Sequence, residues 1–169
     1  MKKTLCVLCA VICLLSLSLS SCSKEDYVDQ IEVGMTLDEY YAIVPEDIRH
    51  SLLNYEFFAT ADGRIAIVKF SIVNQRKVLD ISVVEEGTPT ADNFAKVKEG
   101  MTFVQLVETI GAPGEPYTSG IVSVMYVSQD GKKCDVNIGN KIIGDVVDLT
   151  NVDTDAFAEL YVLDVDVVD

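Results

Sequence analysis

The stretch VKEGMTFVQLVETIGAP at residues 97–113 decides the predicted fold, because the earlier stretch IEVGMTLDEYYAIVPED at residues 31–47 has the same plan. An offset of 66 residues places Gly-Met-Thr on Gly-Met-Thr, and each later apolar position falls on an apolar position. The later positions are spaced i, i+3, i+4 and i+7, which is typical of one face of an amphipathic helix. They are Leu37, Tyr40, Tyr41 and Val44 in the first copy and Phe103, Leu106, Val107 and Ile110 in the second. The recurrence predicts an internal duplication.

Each copy also carries signals for the start of its helix. Thr36 and Thr102 stand just before the apolar faces and are predicted to be N-caps. Gly34 and Gly100 are predicted to end a preceding helical turn with a positive φ. Asp38 and Glu39 complement the positive start of the first helix, whereas the second copy has Val104 and Gln105 there. The second copy is expected to rely on its threonine alone.

The segment after each helix has the pattern of β-structure. Asp62-Gly63 and Asp130-Gly131 are strong hairpin signals. The predicted strands are YEFFAT, RIAIVKFSIV and RKVLDISVV in the first copy and GIVSVMYVS, KKCDVNI and KIIGDVVDL in the second. Residues 45–53 are predicted to add a helix to the first copy. The fold class is therefore predicted to be α+β, a tandem repeat of two helix-helix-three-stranded antiparallel meander units.

The chain divides into five predicted segments. They are a cleaved lipoprotein signal peptide at 1–21, a lipidated tether at 22–26, a first αβ repeat at 27–87, a second αβ repeat at 88–150 and an acidic C-terminal segment at 151–169. The last segment is predicted to contain a short helix, with a strand over YVLDVDVV as the alternative.

The N-terminus predicts a lipid anchor. Two lysines precede the short apolar run TLCVLCAVICLL, which is too short to span a bilayer. Leu19-Ser20-Ser21-Cys22 then resembles the lipobox of bacterial lipoproteins, so Cys22 is the predicted lipidation site. The alternative is an ordinary secretory signal with a chance cysteine. The predicted location is the cell envelope, on the extracytoplasmic side of a membrane.

The chain is strongly acidic, which excludes some partners. It has 27 acidic and 13 basic residues and a formal net charge of −14. This balance argues against nucleic acid, whose phosphates require lysine and arginine. It also argues against a protein that lies flat on anionic lipid. Solubility alone explains such a charge, and the alternative is a basic partner.

No group of residues predicts catalysis, a metal or a cofactor. His50 is the only histidine and lies in a charged run, so it is predicted to be a solvated helix residue. Cys134 alternates with Val136 and Ile138, which predicts a buried thiol rather than a nucleophile. The acidic stretches at 145–155 and 164–169 lack the pattern of a calcium-binding loop.

The order of motifs resembles a known family. Gly-Met-Thr, an apolar helix, Gly111-Ala112-Pro113 and a meander together resemble the β-lactamase-inhibitor-protein-like fold. That fold includes the small lipoprotein of the outer-membrane β-barrel assembly machinery, and the tandem arrangement is most similar to the inhibitor proteins. The resemblance covers residues 27–150, although the first copy has Val44-Pro45 in place of Gly-x-Pro. It implies a non-enzymatic, protein-binding envelope component.

Two functions are therefore predicted. The first is a membrane-anchored, non-catalytic protein-binding module of the cell envelope, with an unknown protein partner and an exposed apolar patch across one sheet. The alternative is a tethered inhibitor of a secreted hydrolase such as a β-lactamase or a protease. The inhibitor would need a protruding loop, and the candidate is 112–120 with Glu115 and Tyr117 at the contact.

Overall fold

The computed structural model describes residues 26–72, 76–114, 117–118, 122–140 and 158–168. A 3-10 turn at Tyr27–Gln30 precedes the helices Leu37–Ile43 (α1), Ala91–Phe94 (α2) and Phe103–Ile110 (α3). The strands are His50–Leu52 (β1), Tyr55–Ala59 (β2), Ile65–Phe70 (β3), Val78–Val84 (β4), Tyr117–Thr118 (β5), Val122–Val127 (β6), Lys133–Gly139 (β7) and Tyr161–Val168 (β8).

The strands form two antiparallel sheets of four strands each, in the orders β1-β2-β3-β4 and β5-β6-β7-β8. The predicted fold class, an α+β tandem repeat of helix-helix-three-stranded units, is wrong. Antiparallel sheet dominates the described part of the chain, and the three α-helices found there have only four to eight residues. In the first sheet, strand β1 lies where the sequence predicted a helix at residues 45–53. In the second sheet, β5 lies within the predicted loop at 112–120, and β8 lies within residues 151–169, where a short helix was predicted.

The helix predicted over residues 45–53 fails at Pro45. Helix α1 ends at Ile43, and Val44 is extended with φ −95° and ψ 117°, as the residue before a proline prefers. His50–Leu52 then form the edge strand β1, and Leu52 pairs with Tyr55 across a two-residue turn. Leu53 adopts φ 56° in that turn, which an inward-facing helical residue could not do.

The helix predicted within residues 151–169 is also wrong from residue 161 onward, where the chain forms strand β8. The alternative interpretation of YVLDVDVV as a strand is confirmed. The strand predicted over KIIGDVVDL lies outside the described residues. β8 joins the second sheet beside β7, and the Val162 N–H donates to the Met101 carbonyl over 2.8 Å. Val78 of β4 donates to Met35 over the same distance, so the final strand of each sheet is held by the same motif.

Both long helices begin with a capping box. The Thr36 Oγ1 accepts from the Glu39 N–H, and the Glu39 carboxylate accepts from the Thr36 N–H. Thr102 and Gln105 exchange the same two bonds, at 3.2 and 3.0 Å. The two threonine caps are therefore confirmed. The expectation that the second helix relies on threonine alone is wrong, because the Gln105 amide oxygen accepts where Glu39 does.

The apolar side chains pack into two clusters on opposite faces of the first sheet. One face meets α1 through Phe58, Ala66, Val68 and Phe70. The other face meets α3, whose buried residues are Phe103, Leu106, Val107 and Ile110. The inner face of the second sheet belongs to the same cluster as α3. Helix α3 therefore lies between the two sheets, and the apolar cluster around it holds both halves of the chain together.

Polar contacts also join the first sheet to the segment before β8. The buried Asn54 amide donates to the carbonyl of Phe70 over 2.9 Å and to that of Ala158 over 2.8 Å. Glu159 accepts from the Tyr55 hydroxyl over 3.0 Å and pairs with Lys69 over 2.9 Å. These contacts fix where β8 begins relative to the first sheet.

Candidate binding surface

The predicted site residues are only partly described. Cys22, the predicted lipidation site, and Glu115, in the predicted contact loop, lie outside the described residues. Tyr117 begins strand β5, and its backbone pairs with Ser123 of β6. The contact loop therefore stays a prediction.

The two residues with the most reactive side chains have surroundings typical of structural roles. His50 is an exposed residue of strand β1, not of a helix, and its ring stacks on Phe57 with centroids 5.5 Å apart. Cys134 is fully buried on the inner face of β7, as predicted. Burial, and then the nearby carboxylates of Asp135 and Asp166, raise the pKa of the Cys134 thiol to about 11. This thiol is protonated at neutral pH and is shielded from solvent.

A buried polar cluster lies between α1 and the first sheet. The Glu56 carboxylate is 6 % exposed and accepts from the Ser51 hydroxyl over 2.7 Å and the Tyr41 hydroxyl over 3.1 Å. The Arg49 guanidinium lies 3.7 Å from the centre of the Tyr41 ring. Burial, with the Glu56 charge next in size, raises the pKa of the Tyr40 hydroxyl. In this cluster Glu56 and Tyr40 are buried, whereas Tyr41 and Ser51 reach the surface.

The outer face of the second sheet carries exposed apolar side chains. The alternation of β6 places Val122, Val124 and Tyr126 inside, and Met125 and Val127 outside. Met125 is 38 % exposed and Val127 is 52 % exposed. Val127 pairs with Lys133, and Lys133 pairs with Val168, which is 48 % exposed. We call these three apolar residues, Met125, Val127 and Val168, the outer patch.

Carboxylates lie beside the outer patch on the same face. Asp135 of β7 pairs with Met125 on one side and with Asp166 of β8 on the other. Asp164 pairs with Asn137 one row further along the sheet. The Asp135 Oδ1 atom is buried and has no hydrogen-bond partner within the part of the chain that the structure describes. The outer face therefore combines exposed apolar side chains with carboxylates.

A second exposed apolar pair lies at the turns of the first sheet. Leu53 and Ile72 are 51 % and 47 % exposed, and they line a cleft with Asn54, Arg76 and Asn140. Residues 73–75, which separate Ile72 from Arg76 in the chain, lie outside the described residues. Its lining comes from loops, whereas the outer patch lies on regular strands that fix the spacing of its side chains.

The sequence indicates where the outer patch lies, although this signal was not used in predicting the contact loop at 112–120. The strand VSVMYV alternates with Val122 inside, so Met125 and Val127 must point outward. Apolar residues at outward positions break the usual alternation of apolar and polar residues. Such a break is a sequence signal for an exposed apolar surface.

The comparisons with known proteins add no relative. No protein-family model matches the chain, and no curated protein is significantly similar to it. The resemblance to the β-lactamase-inhibitor-protein-like family therefore stays a prediction. Within the described ranges, no helix is both long enough and apolar enough to cross a bilayer. The same ranges contain no group of three or more histidine, cysteine, aspartate or glutamate side chains placed to hold a metal ion.

Proposed function

We propose that this protein is a membrane-anchored bacterial lipoprotein that acts as a non-catalytic protein-binding module of the cell envelope. The observation that carries the proposal is the outer patch on the open face of the second sheet. Folding leaves Met125, Val127 and Val168 exposed although each is apolar. Lys133 lies between Val127 and Val168, and a face on which exposed apolar side chains are mixed with charged ones is typical of a protein-protein contact.

The anchor in this proposal is an acylated Cys22. Acyl chains contribute about 0.8 kcal/mol for each buried methylene, so two or three chains hold a protein stably at a membrane. Cys22→Ala is expected to move the protein from the membrane fraction to the soluble fraction. Mass spectrometry of the purified wild-type protein should show the acyl mass on the peptide that begins with Cys22. An unmodified Cys22 would contradict the anchor.

The binding function is tested by photo-cross-linking in living cells. A photoreactive amino acid at Val127 is expected to capture one defined protein. The same amino acid at Glu46, which is exposed on the other half of the chain, is the matched control. The captured protein, once purified, should bind the wild type and lose affinity for a Met125→Lys, Val127→Lys double variant. Equal capture from both positions, or undiminished binding by the double variant, would refute the proposed surface.

A further inference from the structure

We infer that strand β8 is a docking edge that takes an extended segment of the partner in which basic residues alternate with apolar residues. This inference rests on the proposed binding function and specifies the chemistry of the partner. It combines three features of the second sheet: the position of β8, the exposure of its side chains and the charges on its outer face.

Strand β8 lies at the edge of the second sheet. It pairs with β7 on one side. On its other side the first two residues are already held, because Tyr161 bridges to Thr102 and Val162 bonds to Gly100 and Met101. No strand of the described ranges pairs with the rest of that side, and residues 163–168 offer a row of backbone donors and acceptors to an added strand. Main-chain bonds of this kind supply affinity, and alternate side chains supply specificity.

The edge of the first sheet is a useful contrast. In β4, which ends that sheet, only Asp80 is exposed. In β8, Asp164, Asp166, Val167 and Val168 are all exposed. The first part of each strand is held by the same backbone bonds to the turn before a helix, but of the two only β8 combines an open edge, over 163–168, with exposed apolar side chains.

The charges on the outer face select the occupant. Asp164 and Asp166 point to that face from β8, and Asp135 lies beside Asp166. A lysine or arginine on an added strand would lie opposite the carboxylates of β8, where cross-strand pairs of opposite charge are favourable. The apolar residues of the segment would then face the same side as Val165 and Val167, which share the inner face with Cys134 and Val136.

A second copy of this chain fits the edge poorly. An antiparallel copy of β8 centred on Val165 would place Asp164 opposite Asp166 of the other copy. Like charges directly opposite each other destabilise a strand pair. The net charge of −14 adds a longer-range repulsion between copies.

Peptide binding to the acylated full-length protein, purified in a mild non-ionic detergent, tests the inference. The probe is an eight-residue peptide of alternating valine and lysine, N-methylated on one edge so that it cannot assemble with itself. Its partner probe has glutamate in place of lysine. Fluorescence anisotropy should show binding of the lysine peptide, weakening as salt is raised, and no binding of the glutamate peptide.

Two protein variants locate the binding. The double variant Asp164→Asn, Asp166→Asn is expected to raise the Kd for the lysine peptide about tenfold, because two facing charge pairs are lost. Glu46→Gln with Asp47→Asn changes the net charge equally at exposed positions in the first half and should leave binding unchanged. Equal weakening in both variants, or no effect in either, would overturn the inference.

The remaining outcomes separate this inference from the proposed function. Failure of the lysine peptide to bind, with a partner still captured from Val127, would overturn strand addition at β8 and leave the binding function standing. Absence of any captured partner would remove the proposed function itself. Sedimentation of the protein alone measures its oligomeric state. A dimer that is lost in Val167→Lys would show that a second copy occupies β8, and it would overturn the inference of a basic partner segment.

Discussion

The first sheet is covered on both faces, whereas the second sheet is covered on one face only. Four of the five residues of β2 and five of the six residues of β3 are buried, so both faces of these strands lie inside the molecule. In β6 and β7, buried residues alternate with partly or fully exposed ones. Two sheets with the same strand order therefore have different roles: the first forms the centre of the fold, and the second presents a surface.

The sharpest way to break this comparison is to place a lysine on each sheet. Val68 of β3 is fully buried and faces α1, so Val68→Lys would bury an unpaired charge. We expect the free energy of unfolding of this variant to fall by more than about 4 kcal/mol, so that the protein is largely unfolded. Met125→Lys should change the free energy of unfolding by no more than about 0.5 kcal/mol, because Met125 lies on the open face.

Urea unfolding followed by far-UV circular dichroism measures both variants, since the chain contains no tryptophan. Val68→Thr serves as the milder exchange if Val68→Lys does not fold at all. Equal losses for Met125→Lys and Val68→Thr would show that the outer face is covered.

The strands of the first sheet were largely predictable, because local apolar content and turn residues decide them. Glycines in the hairpins at Asp62-Gly63 and Asp130-Gly131 have φ 89° and 85°, as tight turns require. The helix over residues 45–53 was predicted wrongly from its apolar spacing, because the same residues satisfy a short edge strand. The deciding facts were the extended conformation before Pro45 and the pairing with β2, which is a tertiary interaction.

The exposed positions on β6 follow from the sequence, whereas their neighbours do not. Strand alternation with Val122 inside places Met125 and Val127 outside. The position of β8 could not be predicted in the same way. Its pairing with β7 brings Asp166 beside Asp135, although the two residues are far apart in the chain.

The second prediction compares equivalent positions in the two helices. Phe103 is fully buried between the sheets, and its ring centre lies 5.2 Å from that of Tyr55 in the first sheet. Leu37 occupies the matching position of α1 and is only partly buried. Phe103→Ala should lower the free energy of unfolding by about 3–5 kcal/mol. Leu37→Ala should lower it by about 1 kcal/mol. Similar losses in urea unfolding would mean that α3 covers a single sheet, as α1 does.

The third prediction concerns the polar link between the halves. Asn54→Ala removes two hydrogen bonds and leaves the buried carbonyls of Phe70 and Ala158 without this donor. We expect a loss of about 2 kcal/mol in the free energy of unfolding. The control is Glu159→Gln, which keeps an acceptor for Tyr55 and removes only the charge paired with Lys69. That partly exposed pair should contribute less than about 1 kcal/mol. A smaller loss for Asn54→Ala than for the control would contradict the link.

The smallest expected effect compares the two capping boxes, which differ in charge. The pKa of Glu39 is lowered from its ordinary value of 4.5. The largest cause is the hydrogen bond that its carboxylate accepts from the Thr36 backbone N–H, and the next is the bond with the Thr36 hydroxyl. The folded protein thus binds this proton less readily than the unfolded chain does. The stabilisation is present above the ordinary pKa and is lost as the pH falls through the lowered one. Gln105, in the same position of the second box, has no charge to lose.

Glu39→Gln therefore makes the first box resemble the second, and it should reduce the loss of stability between pH 7 and pH 3. Urea unfolding at both pH values measures the difference between the variant and the wild type. Asp62 and Asp130 also have lowered pKa values, first through the hydroxyls of Thr60 and Ser128, but they are present in both proteins and cancel in the comparison. An identical pH dependence in the two proteins would show that the Glu39 charge adds nothing to its box, and that the two helix starts are equivalent despite their different residues.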